Sequence, residues 1–128
     1  MSRTYTEALI LANAGVTEIA GYAGGRTRRV AFEHRDGGKV AARIFQTDVV
    51  IWHPDGSVTV NLIGPNPEGH GFPGMSPTKL WTTPSTFDGI AAALDISRAR
   101  VGKVKGAPYC NGVNLSTGSH TFAAGEIA

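Results

Sequence analysis

The sequence predicts an α+β fold: an antiparallel β-meander of four or more strands with an N-terminal helix, a short second helix and a basic C-terminal β segment. Three observations carry this. Residues 47–61, Thr-Asp-Val-Val-Ile-Trp-His-Pro-Asp-Gly-Ser-Val-Thr-Val-Asn, place two β-rich runs around an x-Pro-Asp-Gly-x turn. Pro54 presets φ at the first turn position, Asp55 can bond its own backbone, and Gly56 tolerates positive φ. Residues 28–45 alternate apolar and polar on either side of Asp36-Gly37-Gly38, a second hairpin. Finally, Thr4-Tyr-Thr-Glu7 and Ser85-Thr-Phe-Asp88 both carry the capping-box pattern ahead of apolar residues at helical spacing.

The elements follow in order. Tyr5, Ala8, Leu9 and Ala12 make one apolar stripe, and Gly15 offers the left-handed position that ends a helix over 5–14. A short strand over 17–22 leads to a Gly24-Gly25 turn. Val30 and Phe32 then share a face with Val40, Ala42 and Ile44, which puts Arg29 and Arg43 on the outer face. Val58, Val60 and Leu62 alternate with Thr59 and Asn61, a half-buried strand. Phe87, Ile90, Ala91 and Leu94 define a second helix over 86–95, weakened by about 1 kcal/mol at Gly89 relative to Ala. Residues 101–105 read as a strand with a bulge at Gly102, paired with 110–115 across Gly106-Ala107-Pro108. The tail from Ser116 is polar and weakly specified.

At 128 residues the chain is expected to be one domain with an ordinary core. No apolar run is long enough to span a bilayer, and no basic n-region with an apolar h-region opens the chain. Cys110 is the single cysteine, which excludes an internal disulfide and reads as a small core residue rather than a catalytic thiol. The net charge of +2 hides an uneven distribution. Residues 26–43 carry +4, residues 98–105 carry +4 with no acid, and the remainder carries −6. Such segregation points to a polyanionic partner or to a solvated sheet face.

Residues 64–79 interrupt the pattern with Pro65, Pro67, Pro73 and Pro77 among four glycines. A loop of this length is either a tolerated insertion or a binding segment, with Pro67, His70, Phe72 and Met75 as its candidate protein contacts. His34, His53, His70 and His120 fall into no metal-ligand spacing, and no phosphate-binding glycine loop or nucleophile elbow is present. Neither a metal nor a cofactor is expected. Asp48 and Asp55 flank one exposed hairpin, a poor setting for a shifted carboxylate pair. The sequence therefore points to binding rather than catalysis. The candidate nucleic-acid contacts are Arg28, Arg29, Arg43, Arg98, Arg100, Lys103 and Lys105, on one basic sheet face, with Tyr22, Trp52, Trp81 and Tyr109 as candidate stacking partners, although Trp52 lies in an all-apolar run that reads as core and Trp81 can equally pack on the second helix as its cap.

The order Thr47-Asp-Val-Val, Pro54-Asp-Gly, Asn61 and Trp81-Thr-Thr resembles a group of small uncharacterised accessory proteins of actinobacterial tailed phages. The resemblance covers residues 28–110. It departs in the inserted 65–79 stretch and at Pro84-Ser85. It implies a phage accessory protein made in the bacterial host cytoplasm or carried in the virion, and it brings no activity and no catalytic residues. Three functions follow as expectations: a protein that binds DNA or RNA through the basic face, a protein-binding inhibitor or virion component that uses the 64–79 loop, and an oligomer that sequesters a small ligand.

Overall fold

A computed structural model of the chain describes residues 2–23, 26–64 and 80–127. The expected Gly24-Gly25 turn and the 65–79 stretch, with Pro67, His70, Phe72 and Met75, lie outside the described residues, as does the side chain of Tyr22.

The fold is α+β. Helix α1 (Tyr5–Ala14) precedes a meander of β1 (Thr17–Ala23), β2 (Arg26–His34), β3 (Val40–Ile44), β4 (Thr47–Trp52) and β5 (Val58–Asn61). Helix α2 (Pro84–Leu94) follows, then β6 (Val101–Val104), β7 (Ala107–Cys110), β8 (Val113–Asn114) and β9 (Ser119–Phe122). The main sheet has six antiparallel strands in the order β1-β2-β3-β4-β5-β9, and β6-β7-β8 form a separate three-stranded sheet.

The expected cap opens α1. The Thr4 hydroxyl accepts from the Glu7 amide at 3.2 Å, and the Thr4 amide donates back to the Glu7 carboxylate at 3.0 Å. Gly15, at φ 66°, turns the chain out of the helix. The second helix begins earlier than expected. Its cap is Thr83, whose hydroxyl accepts from the Thr86 amide at 3.4 Å, and Pro84 opens the helix. The reason is Pro84 itself: it needs no amide partner at the first helical position and forces Thr83 into the extended geometry a cap requires.

Register confirms the shared face. Phe32 pairs with Ala42 and His34 with Val40, so Val30, Phe32, Val40, Ala42 and Ile44 all turn toward the helices and are buried. Trp52, Val60, Leu62, Ile90, Leu94 and Phe122 complete that core at 0% exposure. Burying side chains of this size is worth roughly 1.5–3 kcal/mol each. The bulges fall at Ile19/Gly21 and Ala42/Arg43, and Gly102 pairs regularly with Tyr109.

Two C-terminal expectations are corrected. The hairpin after β6 turns at Lys105-Gly106, with φ of 52° and 82°, rather than across 106–108. Asn111-Gly112 repeats the motif with φ of 51° and 81°. Two-residue turns with positive φ at both positions match the twist of tight hairpins, so the expected 110–115 strand is cut in two. Pro108 then lies opposite Lys103, and its carbonyl accepts from the Leu115 amide at 2.8 Å. The tail is also more structured than its composition suggests. Thr121 pairs with Thr59 and Phe122 with Val58, which makes β9 the far edge of the main sheet.

Gly89 holds α2 against the sheet. A Cβ there would stand 3.0 Å from Ile44 Cγ2 and 3.1 Å from Ile44 Cδ1, and Ile44 is itself packed at 2% exposure. Gly89→Ala is therefore expected to lower the unfolding free energy by about 1–3 kcal/mol through overpacking, despite the better helix propensity of alanine. Urea denaturation checks this, and Ile44→Val in the same background should recover part of the loss. The N-terminal segment is anchored by Arg3, whose guanidinium donates to the Ala93 carbonyl at 2.9 Å and to Glu18 at 2.9 Å. Arg3→Met keeps the aliphatic stem and should cost about 2–3 kcal/mol; a change within the ordinary surface range of about 0.5 kcal/mol would rule out this anchoring role.

Candidate functional site

The seven cations expected on one basic face are distributed over three places. Arg29 and Arg43 lie on the outer face of the main sheet, as alternation requires. Lys103 and Lys105 do not join them, because β6 and its turn belong to the other sheet. Sequence alternation assigns a side chain to a face of its own strand, but it does not say which strands share a sheet.

Part of the outer face is electrically balanced, although the exposed Arg29 donates to the Thr17 hydroxyl at 3.3 Å and forms no ion pair among the described residues. Glu33 accepts from Arg43 Nη2 at 2.6 Å and from Arg35 Nη2 at 3.0 Å. Asp48 takes Arg35 in a two-point bond, at 2.9 Å to Nε and 2.8 Å to Nη2. Two carboxylates thus match two guanidiniums, and the network lies beside Ala41 and Ile51, which are buried apart from the helical core. The Arg43 bond holds the Glu33 carboxyl below its usual range, with Arg35 adding to this and partial burial opposing it. Arg43 is thereby a structural cation. Asp48, expected from the sequence to flank an exposed hairpin, is the buried anchor of this network.

Arg98, Arg100 and Lys103 converge elsewhere. They line an open groove of about 780 Å³ with Tyr109, Asn111 and Phe87, bounded by the start of α2 and by β6, an edge strand of the small sheet. Among the described residues no acidic side chain lines it, and Asp88 pairs with Arg98 from behind its wall. Arg98 is oriented by Asp88 at 2.7 Å and by the Val101 carbonyl at 2.5 Å, with its guanidinium 5.5 Å from the Phe87 ring centroid. Arg100 bonds the Asn111 side chain. Lys103 and Lys105 are exposed and form no ion pair among the described residues. Tyr109 is half-buried, and its partner across the sheet is Gly102, which has no side chain to cover the ring.

Arg28 lines a second groove of about 440 Å³ with Phe45, Gln46, Thr47, Trp81, Thr83, Ser85 and Thr86. Its guanidinium lies 5.0 Å from the Phe45 ring centroid, within the range of a cation–π contact. The two grooves share one wall. Thr82 and Pro84 line the first, while Trp81, Thr83 and Ser85 line the second.

No family model, curated protein or solved structure matches this chain. The site must therefore be read from its own chemistry. Of the expected stacking residues, Trp52 is fully buried in the core, whereas Trp81 and Tyr109 line grooves. Phe45 carries no functional signal in its sequence context.

Asp55, His53 and His120 have partners within the fold. Asp55 accepts from the Ser57 amide and hydroxyl at 2.9 and 2.7 Å, which lowers its carboxyl and tightens the turn. His53 Nε2 lies 2.8 Å from the Thr59 hydroxyl, and His120 packs edge-on against Phe122. Burial pushes the Cys110 thiol up to about 11, so it stays protonated at neutral pH. No group of three potential metal ligands occurs among the described residues, and no helix there is long and apolar enough to cross a membrane.

Glu33 provides a pH test of the outer-face network. Its folded pKa is depressed, so its contribution is complete above the unfolded value near 4.5 and is lost as pH falls through the folded value. The stability gap between wild type and Glu33→Gln should be open at about pH 7 and should close toward about pH 3. A gap of equal size at both pH values in urea denaturation would show that Glu33 acts by packing rather than by charge.

Proposed function

We propose that this protein acts by binding rather than by catalysis, and that its partner is a nucleic acid whose phosphates enter the groove of Arg98, Arg100 and Lys103. One observation carries the reading: Arg100, Lys103 and the Asp88-paired Arg98 converge with an open tyrosine on a groove that no acidic side chain of the described residues lines, while Arg35 and Arg43 on the outer face are neutralised by Glu33 and Asp48. Phosphate binding needs unpaired positive charge that can release counterions. Lys103 supplies it on the groove wall and the exposed Lys105 follows in the adjoining turn, while Arg100 and the Asp88-paired Arg98 are held in place within.

The resemblance of the sequence to phage accessory proteins supports the setting, an infected bacterial cell or the virion. It also fits a small binding protein with no reaction of its own. The other expected surface, the 64–79 loop, rests on its composition alone, since residues 65–79 lie outside the described residues.

Anisotropy titrations with single-stranded and duplex oligonucleotides at two salt concentrations test the proposal. Affinity should fall steeply with salt. Lys103→Glu with Lys105→Glu should weaken binding about tenfold or more and flatten the salt slope by about one to two units, roughly one for each phosphate that is no longer neutralised. Both lysines are exposed, so the melting temperature should hold. Unchanged affinity in the double variant would place any binding elsewhere, and an absence of binding at low salt would overturn the reading.

A further inference from the structure

Phe45 has a conformation that its surroundings impose at a cost. It is the first residue of the two-residue turn between β3 and β4, at φ 54°, in the left-handed region that a bulky side chain rarely enters. The residue is 59% exposed. Neither backbone ease nor burial accounts for a phenylalanine at this position, and strain of this kind persists only where neighbours hold it. They do so here. Arg43 donates to the Phe45 carbonyl at 2.5 Å, Arg28 lies over one side of the ring, and the flanking Ile44 and Thr47 are buried.

We infer that the second groove is a base-stacking site, and that the protein binds single-stranded nucleic acid with one unstacked base against Phe45 and the adjoining phosphates in the basic groove. This rests on the nucleic-acid reading above and narrows it. A base needs an exposed aromatic face, a cation to reinforce stacking and polar groups for its edge. Phe45 supplies the first and Arg28 the second. Gln46 and Ser85 supply the third, and their side chains make no hydrogen bond among the described residues.

The connection between the grooves argues for a strand. The segment 81–85 alternates its side chains between them, and Thr83 is extended at φ −82° and ψ 156°. The two grooves thus lie on either side of this one backbone segment. A base on one side of it leaves its own phosphates beside the cations on the other. A duplex keeps its bases paired and stacked, and offers none to Phe45.

Phe45→Gly separates the ring from the fold, because glycine relieves the left-handed strain. Its melting temperature should be no lower than that of wild type, while affinity for a single-stranded oligonucleotide falls about tenfold, the usual effect of removing one stacking partner. Duplex affinity should stay the same. Phe45→Trp should retain single-strand affinity. Lys103→Glu, run in the same titration, should weaken binding to both substrates. If Phe45→Gly binds the single strand like wild type while Lys103→Glu weakens it, stacking is overturned and the phosphate groove stands. If Phe45→Gly loses single-strand and duplex binding equally, the ring is not reading an unstacked base. If neither variant changes binding, both readings fall.

Discussion

Arg3 is the residue on which the arrangement of this protein depends. Its backbone amide donates to the Leu94 carbonyl at 2.8 Å, and its guanidinium donates to the Ala93 carbonyl. One residue thereby satisfies carbonyls that the end of α2 would otherwise leave open. The same guanidinium bonds Glu18 on β1 and lies 4.9 Å from the Phe32 ring centroid on β2. Its carbonyl accepts from the indole of Trp52 on β4 at 3.0 Å. A cation at the negative end of a helix is favourable, and at 10% side-chain exposure it is screened little. The entry to α1, the exit of α2 and three strands therefore share one residue.

The position of α2 in turn shapes both grooves. Its far end is held by Arg3 and its middle is drawn onto Ile44 through Gly89, and its first turn lines the groove of β6 through Pro84 and Phe87 and the groove of Phe45 through Ser85 and Thr86. That turn and the segment leading into it form the wall shared by the two grooves. The neutral network of Glu33, Arg35, Arg43 and Asp48 belongs to the same arrangement. It removes Arg43 from the pool of available charge and uses it to brace the turn that displays Phe45. The local charge runs in the sequence thus differ in setting: Arg35 and Arg43 of the 26–43 run are paired with acids of their own sheet, and Arg98, Arg100 and Lys103 of the 98–105 run line a groove.

Much of the fold is legible in the sequence. The Pro54-Asp55-Gly56 turn, the Thr4–Glu7 box and the alternation of Val30, Phe32, Val40, Ala42 and Ile44 are local signals, and the structure contains all of them. They are legible because turn geometry, caps and strand periodicity depend on residues a few positions apart. The start of α2 is harder to read because two capping patterns overlap, and Pro84 favours the earlier one. The Lys105-Gly106 turn is hidden because lysine carries no turn signal of its own. Its positive φ is tolerated because the glycine follows and the strands close tightly.

The sequence by itself determined the fold class, the face of the meander that meets the helices and which residues carry charge, whereas the strand expected to be half-buried is buried on both faces, Thr59 and Asn61 included. Only the tertiary structure decided which charges remain available. Glu33 and Arg43 are ten positions apart and meet across two strands, Asp48 reaches Arg35 over thirteen, and β9 finds β5 across sixty-two at Thr59 and Thr121. Pairing over such separations is set by register and sheet order rather than by local preference. Periodicity records which side of a strand a residue faces, but not what stands next to it.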